Sequence, residues 1–367
     1  MSARCMDTPF ATYREMDFSN QVQKGPRNAC VDTLIEKIGL DNLSHVFGYG
    51  SGVLPQQGYD NVDPQVDVII IANNTKEFHE KNLKMFPGHY SSLKFLGIDL
   101  VERIQQYGAG VYFNPYVPIC DSGGQRQMIK YGVLSAKHAM EDVCEWSSMY
   151  VAGRLQKPVR HYKEDGLLLA ANQFNLSSAL NVTLLMLSAA KHGNTISFNQ
   201  LYRTITSLSY MGDPRMLLGG ENPNKVKNIV ARQESEFATL YGPFIEEAIE
   251  KKYIEQLDED SFRIQIGFHE KAEMINRLPL QFKRRLLLKH ASRDGAILSE
   301  EEMPSGLSSD HLVSQLAEND GLHQSLGSAI QTTIRGPALG QTIKGVFTAG
   351  LVKSGMYAWE KKLKSWR

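Results

Sequence analysis

Residues 66–72 read VDVIIIA, an apolar run broken by one aspartate at its second position. A stretch this rich in β-branched residues fits a central strand covered on both faces, because a half-solvated strand alternates apolar and polar side chains. A carboxylate in such a strand is costly unless it is paired or bound to a cation. Asp67 therefore faces a partner or a functional cleft. Just upstream, the hydrophobic run HVFGYGSGVL (45–54) breaks into three glycines, giving an outline of strand, glycine-rich turn, strand. Glycines let a backbone approach a phosphate closely while amides and a serine hydroxyl point at its oxygens. Gly50, Ser51 and Gly52 are thus candidate phosphate-binding residues and Asp67 a candidate Mg²⁺ ligand. The plainer reading of Gly50–Gly52 is a tight turn.

Together these features are similar to the nucleotidyltransferase-superfamily pattern, Gly-Ser followed by acid-x-acid, in which carboxylates hold Mg²⁺ against triphosphate oxygens. The sequence departs from it at Gln65, where an acid is usual, so Asp67 stands alone on its strand. Asp60 and Asp63 lie in the intervening loop, where solvated turn aspartates are the simpler reading. Lys130 interrupts the apolar strand QMIKYGVL (127–134) and calls for an anion, either a triphosphate or an internal carboxylate. Glu141, Asp142, Arg154 and Lys157 are further candidates for metal and phosphate contacts, with ordinary surface charge as the alternative.

The chain has 367 residues, enough for two or three domains, and 40 basic residues against 40 acidic ones, so no overall field attracts a polyanion. Four scattered cysteines without a CxxC exclude a structural zinc pattern and a disulfide-stapled fold. The longest apolar runs are too short to cross a bilayer. Residues 1–20 lack the apolar core of a secretion signal, and Asp7, Glu15 and Asp17 do not suit an organellar presequence. Periodicity predicts helices at 29–38, 77–86, 96–105 and 136–151, with strands at 108–118 and 127–134. Past a basic link at 153–161, helices are predicted at 176–191, 197–209, 225–238 and 243–252, followed by a hairpin through 253–266. The expected fold is an α/β (α+β) nucleotidyltransferase domain at 1–158, a mostly helical winged-helix-like domain at 159–300, a linker at 301–334 and a basic amphipathic C-terminal segment at 335–367. That last segment carries seven basic residues and one acid. Val352, Met356, Trp359, Leu363 and Trp366 fall on one helical face, with Lys361, Lys362 and Lys364 beside it, as in an interfacial membrane helix. A helix packed on its own protein is the alternative.

The strings YGSGV (49–53), VD (66–67), HYSSLKFLG (89–97), YGAGVYFNP (107–115), IKYGV (129–133), AGRLQKPV (152–159), SLSYMGDPRM (207–216), KVKNIV (225–230) and KGVFTAG (344–350) resemble the mitochondrial CDP-diacylglycerol synthases of the translocator assembly and maintenance family. The resemblance implies CTP and phosphatidate as substrates, Mg²⁺ as cofactor, a role in cardiolipin and phosphatidylglycerol synthesis, and the matrix face of the mitochondrial inner membrane. It also implies that the unpaired Asp67 is a trait of the family. Gly50, Ser51 and Gly52 then take the triphosphate and Asp67 the Mg²⁺. Lys130, Arg154 and Lys157 take phosphate charge, and Tyr210, Asp213 and Arg215 close the site from the second domain. Trp359, Lys361, Lys362, Leu363, Lys364 and Trp366 meet an anionic membrane. Two rivals are a nucleotidyltransferase acting on RNA and a non-catalytic assembly factor. Acidic residues 246–260 argue against a nucleic-acid partner. Oligomeric state is not legible.

Overall fold

The computed structural model describes residues 17–22, 25–57, 64–91, 95, 97–188, 195–217, 222–293 and 309–349. Its first lobe is built on β1 (Leu43–Tyr49), β2 (Val66–Ala72), β3 (Tyr112–Cys120), β4 (Arg126–Ser135) and β5 (Arg160–Lys163), in the spatial order β3-β4-β2-β1-β5. The sheet is mixed: β2 and β4 run parallel, and the other neighbours antiparallel. Alternation along β2 sends Val66, Val68 and Ile70 to one face, where they pack with α1 (Ala29–Ile38) and with Phe78 of α2 (Thr75–Met85). Ile69 and Ile71 go to the other face, against α4 (Ala136–Glu145) and α6 (Gly166–Ser188). Both faces are covered, which is why the strand reads as continuously apolar. α3 (Ile98–Gln106) completes this lobe. α1 begins where the Asn28 side chain accepts from the amides of Cys30 and Val31, and it ends at Gly39, whose φ is 86°.

The second lobe surrounds α6, which is apolar on nearly all sides and correspondingly buried. Against it pack α7 (Phe198–Leu208), α9 (Lys225–Glu250) and a small sheet of β6 (Thr195–Ser197), β8 (Ser261–Ile264) and β7 (Ile254–Gln256), in that spatial order. α10 (Phe268–Asn276), α11 (Leu280–Arg293), α12 (Ser309–Glu318) and α13 (Leu322–Ala349) complete the lobe, and two four-residue helices, α5 (Ala152–Leu155) and α8 (Pro214–Leu217), border the inter-lobe cleft.

Five expectations change. The helix predicted at 136–151 stops at Glu145, because Trp146 turns left-handed (φ 53°) and the chain reverses before α5. The two helices at 225–238 and 243–252 are one, α9, bent at Gln233, whose side chain donates to the Pro55 carbonyl of the first lobe at 2.9 Å. The sheet continues past 158, since β5 pairs with β1. The expected linker at 301–334 contains α12 and the first half of α13. Its polar composition hides an apolar stripe, Leu312, Val313, Leu316 and Ala317, that enters the core. The expected membrane segment at 335–367 is divided: residues to Ala349 continue α13, while Trp359, Lys361, Lys362, Leu363, Lys364 and Trp366 lie outside the described residues.

α13 bolts the lobes together. The Lys344 ammonium is buried and donates to the Gln105 and Tyr107 carbonyls at 3.0 and 2.6 Å, closing the C-terminal end of α3. Burial lowers its pKa to about 7. Gly108 (φ 70°) lies under the helix so closely that a Cβ there would sit 2.9 Å from the Gln341 amide nitrogen and 3.1 Å from the Gly340 carbonyl carbon. Replacing Gly108 by alanine adds both left-handed strain and a backbone clash. The expected outcome is a loss of at least about 2 kcal/mol in chemical denaturation, whereas Gly39→Ala, strained but with open space around its Cβ, loses less.

Candidate active site

At the end of β1 the chain turns at Gly50 (φ 79°), whose carbonyl accepts from the amides of Val53 and Leu54 at 3.0 Å each. Only glycine fits two positions of this turn. Gly50 needs the positive φ, and a Cβ on Gly52 would fall 2.6 Å from the Gln65 carbonyl oxygen and 2.9 Å from the Val66 Cα. The turn therefore lies on the start of β2, which carries Asp67. Strand register supplies the remaining neighbours: Asp67 sits opposite Tyr49 on β1 and beside Lys130 on β4. The Lys130 ammonium is 3.2 Å from Asp67 Oδ1 and 4.5 Å from the centroid of the Phe113 ring. Both readings of Lys130 meet here, since the internal carboxylate it pairs with belongs to the candidate metal site.

Facing this edge is the segment between α4 and β5. The Arg154 guanidinium lies between the rings of Tyr49 and Tyr150, 4.9 and 3.8 Å from their centroids, and donates to the Tyr150 carbonyl. Lys157 donates to the Gly153 carbonyl and, at 2.7 Å, to Ser209 Oγ. The second lobe contributes Tyr210, whose ring has Lys157 Nζ at 5.4 Å and Lys225 Nζ at 5.5 Å. Arg215 is held by Asp213, with Nη2 2.6 Å from Oδ2 and its own amide donating to Oδ1 at 2.9 Å. Asp213 is buried, so its carboxylate orients Arg215 rather than presenting itself to a ligand. Apart from Phe113, these side chains border one cleft of about 220 Å³, with Ile334 and Ala338 of α13 on its wall.

The segment carrying Arg154 is anchored by Asn175 of α6. Its Oδ1 accepts from Trp146 Nε1 and Gln156 Nε2 at 2.8 and 3.0 Å, and its Nδ2 donates to the Ala152 carbonyl and Asn172 Oδ1 at 3.1 and 2.8 Å. Tyr241 of α9 donates to the Gln156 carbonyl at 2.8 Å.

Charge is the cleft's main property. Five cations, Lys130, Arg154, Lys157, Arg215 and Lys225, share it with two carboxylates, Asp67 and Asp213. Burial, and next the charges of Arg154 and Lys225, push the Lys157 ammonium well below the ordinary lysine range. Burial and the nearby Asp67 raise the Tyr49 phenol, keeping it protonated. An enclosed cation excess of this kind is completed by a polyanion.

The structure thus brings together Gly50, Ser51, Asp67, Lys130, Arg154, Lys157, Tyr210, Asp213 and Arg215, residues more than 160 positions apart in sequence at the extremes. Asp60 and Asp63 lie outside the described residues. Glu141 is exposed, and the Asp142 carboxylate is occupied by the amides of Ser148, Val151 and Ala152, so neither is a metal contact. Among the described residues no group of three or more His, Cys, Asp or Glu could hold a metal. Sequence reasoning did not single out Lys225, Tyr49 and Tyr150. A signal for Lys225 existed: α9 opens with two lysines and no acid in its first turn, against the helix dipole. The aromatic partners of Arg154 carried none.

Comparison with known proteins gives concordant results. A family profile described as "Phosphatidate cytidylyltransferase, mitochondrial" matches residues 31–364. A protein of that name from Saccharomyces cerevisiae is 37% identical over 324 residues, covering 88% of this chain and 67% of the relative. Its counterpart in Schizosaccharomyces pombe is 35% identical, covering 86% and 78%. One from Drosophila melanogaster is 32% identical, covering 90% and 97%.

The lowered Lys157 pKa gives a prediction with a definite sign. A bound polyphosphate favours the ammonium form, so binding takes up a proton above the depressed pKa, and affinity falls as pH rises toward the ordinary lysine value of about 10.4. Calorimetry of pyrophosphate binding from about pH 7 to about pH 10, in buffers of different ionisation enthalpy, should show greater proton uptake over part of that range by the native chain than by Lys157→Gln. Equal uptake by the two overturns the assignment.

Proposed function

The chain belongs to the mitochondrial phosphatidate cytidylyltransferase family, and we propose that the cleft between its lobes performs that reaction with the side chains described above. It is a nucleotidyltransferase that joins the cytidylyl group of CTP to phosphatidate, giving CDP-diacylglycerol and pyrophosphate. One observation supports this site above the others: a lone carboxylate, Asp67, beside a glycine-built turn, facing cations from both lobes in a single cleft. The turn at Gly50, Ser51 and Gly52 receives the triphosphate. Arg154, Lys157, Arg215 and Lys225 neutralise its charge, and Lys130 serves the phosphorus under attack or the departing pyrophosphate.

Asp67 fits a Mg²⁺ ligand. Its buried Oδ1 makes no geometrically strict hydrogen bond and is met by the Lys130 ammonium at 3.2 Å, and Mg²⁺ is commonly held by one or two carboxylates together with substrate phosphates. The ion, when bound there, would offset the charge of the triphosphate oxygens. No side chain need act as general base, because the attacking group is a phosphate oxygen already ionised near neutral pH, its second pKa being about 6. An alcohol acceptor would require deprotonation, and the missing acid at Gln65 accords with an acceptor that needs none. Catalysis is then positioning and charge neutralisation of an in-line displacement.

Three finer readings complete the proposal. The second lobe is winged-helix-like, supported by its order α6, β6, α7, α9, β7, β8 and its sheet order β6-β8-β7. The relatives are named as mitochondrial, and among the described residues no helix is long and apolar enough to cross a membrane, which suits a peripheral enzyme on the matrix side of the inner membrane. The basic, tryptophan-bearing residues after 349 provide contact with anionic lipid.

The test is transfer of label from α-³²P-CTP into an organic-extractable product, with phosphatidate-containing liposomes and Mg²⁺. The native chain should give labelled lipid, Asp67→Asn about 10²-fold less or lower still, and Lys130→Met an intermediate loss. Full transfer by Asp67→Asn would remove the carboxylate from the mechanism.

A further inference from the structure

Asp142 is buried, 4% exposed, and lies behind the cleft rather than in it. Its carboxylate receives five donors and faces no acceptor that the structure pairs with it. Oδ1 accepts from the Ser148 amide at 2.7 Å, Ser148 Oγ at 2.9 Å and Ser147 Oγ at 3.3 Å, and Oδ2 from the Val151 and Ala152 amides at 2.7 and 3.0 Å. Five hydrogen bonds on one carboxylate far exceed what ending α4 requires. They hold a six-residue reversal, 146–151, in which two residues that are not glycine, Trp146 (φ 53°) and Met149 (φ 52°), adopt left-handed backbone. Such conformations persist only where the surroundings over-determine them.

What this reversal delivers is the cation-bearing wall of the cleft. Within ten positions it supplies Ser148, Met149, Tyr150, Gly153, Arg154 and Lys157 to the lining. A continuous path of hydrogen bonds leads there from the carboxylate. Ser148 Oγ donates to Asp142 and accepts from the Tyr150 amide at 3.2 Å, and the Tyr150 carbonyl accepts from Arg154, whose guanidinium lies over the Tyr150 ring. The second carboxylate oxygen meets the first amides of α5, the turn that carries Arg154 itself.

We propose that Asp142 is a positioning residue for the triphosphate, acting through Ser148 and Tyr150 to set the Arg154 guanidinium where phosphate oxygens bind. The inference rests on the proposed reading of the cleft as the CTP site. A carboxylate is required because every partner is a donor, so an amide of the same shape would turn an NH₂ group against N–H groups. Arg285, which donates to the Trp146 and Ser147 carbonyls at 3.0 and 3.3 Å, braces the same reversal from α11. Asp142→Asn should therefore fold while its reversal relaxes.

The experiment uses the full chain as native protein, Asp142→Asn, Arg154→Lys and the double variant. Two quantities are read: pyrophosphate affinity by calorimetry, and KM and kcat for CTP in the liposome assay. Asp142→Asn alone should weaken pyrophosphate about tenfold or more and raise KM for CTP more than it lowers kcat. In the Arg154→Lys background the same change should cost less than about twofold, because the group it positions is already altered. Losses that multiply, or native pyrophosphate affinity in Asp142→Asn, overturn the proposal. If Asp142→Asn does not fold, Ser148→Ala tests the same path with the backbone bonds of the reversal kept. A weakening of about threefold that disappears in the Arg154→Lys background supports it, and unchanged affinity overturns it. Native protein that binds pyrophosphate but transfers no label to phosphatidate would sink the reading of the activity, while the pyrophosphate comparison still decides the role of Asp142.

Discussion

Asn175 uses all of its principal hydrogen-bonding capacity in one buried place, and the geometry of the cleft hangs on that knot. By accepting from Trp146 and Gln156 and donating to Ala152 and Asn172, it ties the central helix of the second lobe to the segment that leaves the sheet of the first. A buried amide satisfied in this way is rigid, since any displacement strands several polar groups at once. Arg154 and Lys157 hang from the tied segment, and Tyr241 fixes its far end. The lobes are consequently joined by directional bonds as well as by packing, and cations anchored in one lobe can face those of the other.

That placement carries an electrostatic cost that helps define the function. Five cations with two carboxylates in a concave site repel one another, and burial together with the charges of Arg154 and Lys225 lowers the pKa of Lys157. Aromatic rings beside the cations absorb part of the cost, with Phe113 near Lys130, Tyr49 and Tyr150 about Arg154, and Tyr210 near both Lys157 and Lys225. Stability is given up where the cations crowd together, an arrangement that accords with the triphosphate site proposed above.

α13 shows how far composition can mislead. Residues near its C-terminal end read as basic and glycine-rich, suited to a membrane surface, yet Lys344 is buried under α3 and Gly340 meets Gly108 backbone to backbone. The glycines that weaken a helix on propensity are what let it approach another chain segment. Similarly, 301–334 reads as a solvated linker from the acidic and polar residues of its first half, though Leu312, Val313, Leu316 and Ala317 are enough to seat a helix. Periodicity of four well-spaced residues outweighs average polarity once a groove exists to receive them.

Local chemistry carried much of the site. Gly50, Gly52 and the aspartate within a β-branched run are positions where the chain has few alternatives, because backbone conformation and the cost of burying charge act within a few residues of their cause. Strand order, and with it the meeting of Lys130 with Asp67, was only half legible, since nothing in either strand alone states which neighbour it takes. The sequence by itself determined β1 to β4, the glycine-built turn and the lone carboxylate on β2, all set by short-range sterics and desolvation. Tertiary structure alone decided that Arg154 lies between Tyr49 and Tyr150, that Lys225 joins the cleft, that Asp142 braces a turn instead of binding metal, and that α13 closes the wall. Those outcomes depend on which distant surfaces pack together, and packing sums over contacts that no local pattern encodes.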